Sequence, residues 1–539
     1  MSDTPAAHAL ASGTAVLGIE LGSTRIKACL LTPGTSAEPH AVIATGSHAW
    51  ENQFVDRLWT YPIDDVWTGL RAAVADLLAD AELRHGIRPS GLGAVGVSAM
   101  MHGYLAFDAA GELLVPFRTW RNTNTEAAAR ELTDLLDHNV PLRWSIAHYA
   151  QAVRDAEPHV SDVAFLTTLS GYVHWRLTGE KVLGVGDASG MFPIDPDTGT
   201  YDAGRLALLD RHLAEAAPGA PAPSSLLPTV LRAGEAAGSL TAEGAALLDP
   251  TGAIAPGVRL CPPEGDAGTG MVATNAVTRR TGNVSVGTSI FAMIVLERPL
   301  AAVHHEIDLV TTPAGDLVAM VHCNNGASEL GEWAGVFGQF AAALGHETAD
   351  DDVFGVLLRA ALDGEADGGG LLAYNYLSGE PVTGLAEGRP LVVRTPDSRL
   401  TLANLMRAQV YGVFGTLSLG MRILEAEGAG VDRLLAHGGV FRTAGVAQRF
   451  LAAAVGTPVA VGETASEGGA WGIAILADYL LARADAPGLS LADYLDERVF
   501  AGADVVVVDP DPDDVAGYAR YLATYEAGLA VERAAGDAL

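Results

Sequence analysis

Only three cysteines occur in the 539 residues, Cys29, Cys261 and Cys323, and no two of them form a CxxC pair. That spacing excludes a cysteine-built zinc site and a disulfide framework, and a reducing compartment fits it. Basic side chains are also scarce: 33 Lys and Arg stand against 65 Asp and Glu, a formal net charge of −32. Duplex nucleic acid and anionic membranes are repelled by most of such a surface, so any phosphate site must be local. No run of about 18 uncharged apolar residues is present, which excludes an apolar membrane-spanning helix. Residues 1–13 are small and polar, without the basic and apolar regions of a secretory signal, and the expected location is the cytoplasm. The pattern GxxxxGK[ST] is missing as well, so the chain has no Walker A loop.

What is present is ordinary globular material, 49% apolar and 18% charged. At roughly 150 residues per domain the length allows two large domains or three to four small ones. Two stretches share one pattern, a β-rich run broken by a Gly-Ser/Thr turn and followed by amphipathic helices. In the first, residues 15–20 and 26–31 read as strands, 41–50 as a third, 66–78 as a helix and 92–97 as a further strand. In the second, 283–286 and 291–296 are strands, 307–312 and 317–322 a hairpin, 402–426 a long helix, 433–436 a strand and 445–455 a helix. This predicts an α/β fold in two similar lobes. The lobes are placed at residues 1–276 and 277–485, with 486–539 as a C-terminal appendix.

Four segments carry candidate chemistry. The turn Glu20-Leu21-Gly22-Ser23-Thr24-Arg25-Ile26-Lys27 sets small residues, hydroxyls and cations between strands, where successive amides can hold phosphate oxygens. A plain hairpin with a surface lysine accounts for it equally well. Gly287-Thr288-Ser289 is a second such turn, at the corresponding place in the second stretch. Between them, Glu264-Gly265-Asp266-Ala267-Gly268 sets a carboxylate among residues too small to be chosen for helix or sheet stability. Asp266 there is a general base or a helix cap. Gly438-Gly439 ends a strand with glycines that admit a ring or phosphate close to the backbone, and residues 467–472 open a helix with small residues suited to tight packing.

In this order and spacing the motifs resemble the FGGY family of carbohydrate kinases, over essentially the whole chain. The first turn is similar to the family's DxGTTxxK/R phosphate loop, Gly287-Thr288-Ser289 to its second phosphate loop, and Asp266 to its catalytic base. Gly438-Gly439 with Arg442, Gln448 and Ala452 resembles the adenine-side motif, continued by 467–472. Ser98-Ala99-Met100-Met101-His102-Gly103 is similar to the SGQMHG segment of xylulokinases, and Asp187-Ala188-Ser189-Gly190 to their DASGT. Two positions depart: Glu20 stands where the family has Asp, and Trp120-Arg121-Asn122 where it has WxD.

The resemblance implies a two-lobed fold of the actin, Hsp70 and hexokinase kind, ribonuclease H-like and duplicated, with a central cleft. It implies ATP and Mg²⁺, with Gly22, Ser23, Thr24, Lys27, Gly287, Thr288 and Ser289 on the phosphates and Gly438, Gly439 and Arg442 on the adenosine side. A small-molecule sugar, a xylulose- or ribulose-like ketose or a polyol, is expected over Met101, His102, Gly103, Trp120 and Asn122, with a terminal hydroxyl at Asp266. Asp266 and Glu20, the latter through water, are the expected metal-side carboxylates. A homodimer is a common family arrangement. The rivals are a sugar-binding regulator that has lost catalysis and an actin- or Hsp70-like ATPase, and ATP turnover with a sugar panel separates them.

Overall fold

The computed structural model describes residues 4–35, 38–89, 91–462 and 468–539. The chain forms two compact units: Met1–Val277, Leu309–Val318 and Thr464–Gly502 in the first, Thr278–Asp308, Ala319–Glu463 and Ala503–Leu539 in the second.

The first unit is built on a sheet of β1 (Val16–Leu21), β2 (Arg25–Leu31), β3 (Val42–Ala49), β4 (Ala94–Ala99), β5 (Arg259–Leu260) and β6 (Glu264–Gly265). Its order is β5-β4-β1-β2-β3, with β6 also paired to β4. β1 runs antiparallel to β2 and parallel to β4, and β4 is parallel to β5 and β6. The strands read as nearly unbroken apolar runs because both faces are covered. The helix Ile63–His85 packs on β2 and β3, and the helix Gly469–Asp485 on β1, β2 and β4.

The other sheet is made of β7 (Thr281–Val286), β8 (Ile290–Val295), β9 (Ile307–Thr311), β10 (Leu317–Cys323), β11 (Arg433–His437), β12 (Val459–Gly462) and β13 (Val505–Val508), all in the second unit except the end of β9 and the start of β10 within Leu309–Val318. The sheet order is β9-β10-β8-β7-β11-β12-β13. β7 is antiparallel to β8 and parallel to β11, as β1 is to β2 and β4. The leading strand, its hairpin partner and its parallel neighbour therefore recur, and the expected duplication is visible in the strand order.

Two expectations about organisation are corrected. Residues 468–485 do not stay with the second lobe. The helix Gly469–Asp485 seals the first unit, because Gly18 and Gly96 leave the sheet without side chains where Ala470 and Ile473 approach. Residues 486–539 are no appendix either. Leu491–Tyr494 and the turn after it belong to the first unit, β13 pairs antiparallel with β12, and Pro512–Ala538 is an integral helix of the second. Asp511 caps that helix by accepting from the N–H groups of Asp513 and Asp514. Buried Asp514 is paired with Arg407 and Arg449. Tyr518, Tyr521 and Tyr525 are buried, the Tyr518 hydroxyl 2.8 Å from the Ser418 hydroxyl on the helix Leu402–Ala426. Nothing in the sequence reading marked the aromatic face that embeds the helix Pro512–Ala538.

Candidate active site

Parallel pairing brings the carboxyl ends of three strands of the first unit side by side. Glu20, Ser98 and Glu264 share one register row, and Leu21, Ala99 and Gly265 the next. Ligand sites of open α/β sheets lie beyond such ends. Glu20, the first turn, Met101 and Asp266 all follow from this alignment.

Asp266 is the first residue of the helix Asp266–Ala273, whose N-cap is Gly265, so it does not cap that helix. Its Oδ1 accepts from the N–H of Met101 at 3.1 Å and of Ala267 at 3.0 Å, and Oδ2 receives no hydrogen bond from the described residues. The side chain is open to solvent but so surrounded by protein that desolvation raises its pKa above the ordinary aspartate value, against the pull of those two N–H groups.

Met101 and His102 are buried. His102 holds a left-handed backbone, φ +71°, a strained conformation for a non-glycine residue and one that clusters at functional sites. Its Nδ1 lies 3.2 Å from the carbonyl oxygen of Gly190. Gly103 follows, its N–H donating to Arg143 and its carbonyl accepting from the Ser145 hydroxyl at 2.5 Å.

Two buried carboxyls stand behind Asp266. Asp187 accepts through Oδ2 from the hydroxyls of Thr168 at 2.7 Å and Ser170 at 2.5 Å. Glu264 accepts from the N–H groups of Gly186 and Asp187. Burial pushes Asp187 up to about 7 and Glu264 up to about 8, the charge of Asp266 adding to the first shift and that of Asp187 to the second. The DASG match pointed to Asp187, but nothing in the letters marked Glu264 as its partner.

The first turn has its carbonyls bound on one side. Gly22 O accepts from the Trp50 indole at 2.7 Å, Ser23 O from the Tyr61 hydroxyl at 2.6 Å and Thr24 O from the Trp50 N–H at 3.2 Å. The Trp50 and Tyr61 rings stack at 4.3 Å. In a trans peptide the N–H points opposite to the preceding C=O. The amides of Ser23 and Thr24 are thereby turned away from the aromatic pair, as an anion site requires. Lys27 and Glu20 face each other across β1 and β2. The Glu20 carboxylate lies against Gly469 and near the Thr269 hydroxyl, so the extra methylene places the charge by the start of a helix, where it is favoured.

The second turn belongs to the other unit. Gly287 O and Thr288 O accept from the N–H groups of Ala327 at 2.8 Å and Gly326 at 2.7 Å, so the amides of Thr288 and Ser289 are likewise directed away. The brace is itself held: the Asn375 amide donates to the carbonyls of Asn325 and Gly326, and the Asn325 amide donates to buried Glu380. Sequence reading missed Asn325, Asn375 and Glu380. Gly438 packs on the Val286 carbonyl just before this turn, while Gly439 faces open space. Arg442 is exposed. Gln448 is structural, its amide donating to the carbonyls of Val459 and Val506, and Ala452 is buried. Of the 467–472 segment, Glu467 lies outside the described residues, and Gly469 to Gly472 pack within the first unit.

Asn122 departs from expectation. It is buried, and its Oδ1 accepts from the Trp59 N–H at 2.9 Å while Nδ2 donates to the carbonyls of Trp59 at 2.8 Å and Thr119 at 3.0 Å. Both amide protons and one lone pair of the oxygen are thus spent on backbone groups, so Asn122 positions Trp59 and is left out of the sugar-side set proposed below. Aspartate could not donate to two carbonyls, which explains asparagine here. Trp120 is half-buried against the core of the first unit.

Residues 15–255 match the N-terminal domain and residues 282–481 the C-terminal domain of the FGGY family of carbohydrate kinases. The chain belongs to that family. It is a carbohydrate kinase with the two-domain, mixed α/β actin-like fold of its relatives. Similar solved structures include a xylulose kinase from Rhodospirillum rubrum, 20% identical, TM-score 0.74, over 96% of this chain and 98% of that one. A gluconate kinase from Lactobacillus acidophilus is 17% identical, TM-score 0.76, over 98% and 100%. A Plasmodium falciparum glycerol kinase with ADP is 14% identical, TM-score 0.72, over 96% and 98%. Among the described residues no helix is long and apolar enough to cross a membrane.

Proposed function

We propose that this carbohydrate kinase transfers the γ-phosphoryl group of ATP to a terminal hydroxyl of a straight-chain ketose or polyol, with Asp266 as general base. The observation that carries the reading is the fixing of Asp266: two N–H groups orient one oxygen, and the other is left for a proton. As the substrate oxygen bonds to the γ-phosphorus, its proton passes to Asp266 Oδ2, the bond from phosphorus to the bridging oxygen breaks, and ADP departs. The raised pKa of Asp266 makes it a better base than a solvated aspartate, provided it is ionised.

The outward amides of Ser23, Thr24, Thr288 and Ser289 fit phosphate oxygens, and Lys27 adds a cation. Gly438, Gly439 and Arg442 are assigned to the adenosine side. Mg²⁺ bound with the nucleotide would neutralise charge on the transferring group, with Glu20, through water, and Asp266 as the carboxylates on its side. Met101, His102, Gly103 and Trp120 are the sugar-side residues. Named relatives that act on xylulose, gluconate and glycerol support a straight-chain acceptor. A coupled ADP-release assay over ketopentoses, ketohexoses, tetroses and polyols tests the class, and glucose as the best acceptor would sink it.

A further inference from the structure

Arg121 stands in an arrangement the proposed reaction does not use. Its guanidinium lies 5.5 Å from the centroid of the Trp59 ring and 5.2 Å from that of Trp120. The side chain is exposed, and among the described residues no carboxylate lies within ion-pairing distance of it. An unpaired arginine is notable in a chain with 65 acidic side chains.

The surroundings hold this cation in place. Trp59 sits on the short strand Leu58–Thr60, and its N–H and C=O are both bound by the amide of Asn122, the residue next to Arg121. Phe54 packs on Trp59 at 4.9 Å. The fixed indoles leave the guanidinium little freedom to lose, and a planar guanidinium meets a carboxylate with two parallel hydrogen bonds. Its location is functional ground. Trp59, against which Arg121 lies, is two residues before Tyr61, whose hydroxyl holds the Ser23 carbonyl. Arg121 is thus on the Tyr61 side of the first turn, the side its carbonyls face and its phosphate-directed amides do not.

We infer that Arg121, held between Trp59 and Trp120, binds an anionic group on the acceptor, and that the preferred substrate is a straight-chain polyhydroxylated carboxylate such as an aldonate. The inference rests on the carbohydrate kinase reading and narrows it: the acceptor is a ketose or polyol chain carrying a carboxylate away from the phosphorylated hydroxyl. The carboxylate keeps its bonds and charge, and only the hydroxyl end reacts.

The test compares acceptors of equal length, xylonate with xylitol and xylulose, and gluconate with sorbitol and fructose, for the wild type, Arg121→Gln and Arg121→Lys. The wild type should favour the acid. Arg121→Gln should lower kcat/KM for the acid by about 10- to 100-fold, the range for a charged hydrogen bond, and close most of the gap to the matched neutral acceptor. Arg121→Lys should recover only part, since it restores charge but not the fork. KM for ATP should stay put in both variants. A wild type that prefers the neutral acceptors overturns the inference. So does a rise in KM for ATP that is equal for every acceptor, because the anion would then be a nucleotide phosphate. If the wild type turns over no acceptor, the kinase reading has failed. Calorimetric binding of xylonate and gluconate then decides this one alone: binding lost in Arg121→Gln upholds it, and equal or absent binding in both proteins overturns it.

Discussion

The two Gly-Ser/Thr turns reach one end by different means. In the unit carrying Asp266, the turn after β1 is braced by side chains, the Trp50 indole and Tyr61 hydroxyl. In the other unit, the turn after β7 is braced by the backbone N–H groups of Gly326 and Ala327. Both braces bind carbonyls and so aim amides the other way. A side-chain brace can be removed one atom at a time. A backbone brace yields only when the segment carrying it is displaced. The units also differ in chemistry: the strand ends beside β1 present Glu20 and Asp266, whereas β11, beside β7, runs into Gly438 and Gly439. The duplicated frame thus carries the proposed base on one side only.

That asymmetry is broken most severely at Asp266. Asp266→Asn should lower kcat by roughly 10²- to 10⁴-fold, the range for acid-base catalysis, while sugar affinity and Tm change far less. A folded, sugar-binding variant with near wild-type turnover would remove Asp266 as the base. Gly326→Ala attacks the backbone brace, since a methyl group there collides with the Gly287 carbonyl. We expect about 1–3 kcal/mol of overpacking strain, read as a lower Tm together with a raised KM for ATP. An unchanged KM would detach this turn from the nucleotide.

Asn122→Asp sets a carboxylate against two carbonyls and should cost about 1–3 kcal/mol in urea unfolding. The order of preference among neutral acceptors should be preserved; a reordered list would return Asn122 to the sugar. The smallest effect is expected for Tyr61→Phe. It deletes one hydroxyl from the side-chain brace and keeps the stacked ring, worth about 0.5–1.5 kcal/mol, with a KM for ATP up by a few-fold at most.

Much of the frame was legible in the sequence. The runs at 15–20 and 26–31 with Gly22-Ser23-Thr24 between them announced β1 and β2, and the long helix expected within 402–426 fills that whole span. Met101 and Asp266, 165 positions apart, were expected together and are joined by a hydrogen bond. What stayed hidden depended on partners. The small residues at 469–472 announce close packing but not that Gly18 and Thr269 are what they pack against. Asn122 looked like a weakened sugar ligand because residue type does not show that its amide meets the backbone of Trp59. The braces of both turns were hidden for the same reason: Trp50, Tyr61 and Gly326 act through isolated hydrogen bonds that leave no periodic trace.

The return of Gly469–Asp485 to the first sheet bears on how the chain is made. A ribosome releases β1 to β6 early, yet the helix that lies over β1 and β4 is added only after residues 278–463 have been synthesised. Until then one face of the earlier sheet, with Gly18 and Gly96 at its centre, lacks its cover and stays exposed to other chains. Cutting the gene after Val277 would therefore yield a sheet without its lid and not a free-standing domain. A circular permutant that opens the chain ahead of Gly468 would deliver the covering helix first, next to the strand it was made to cover.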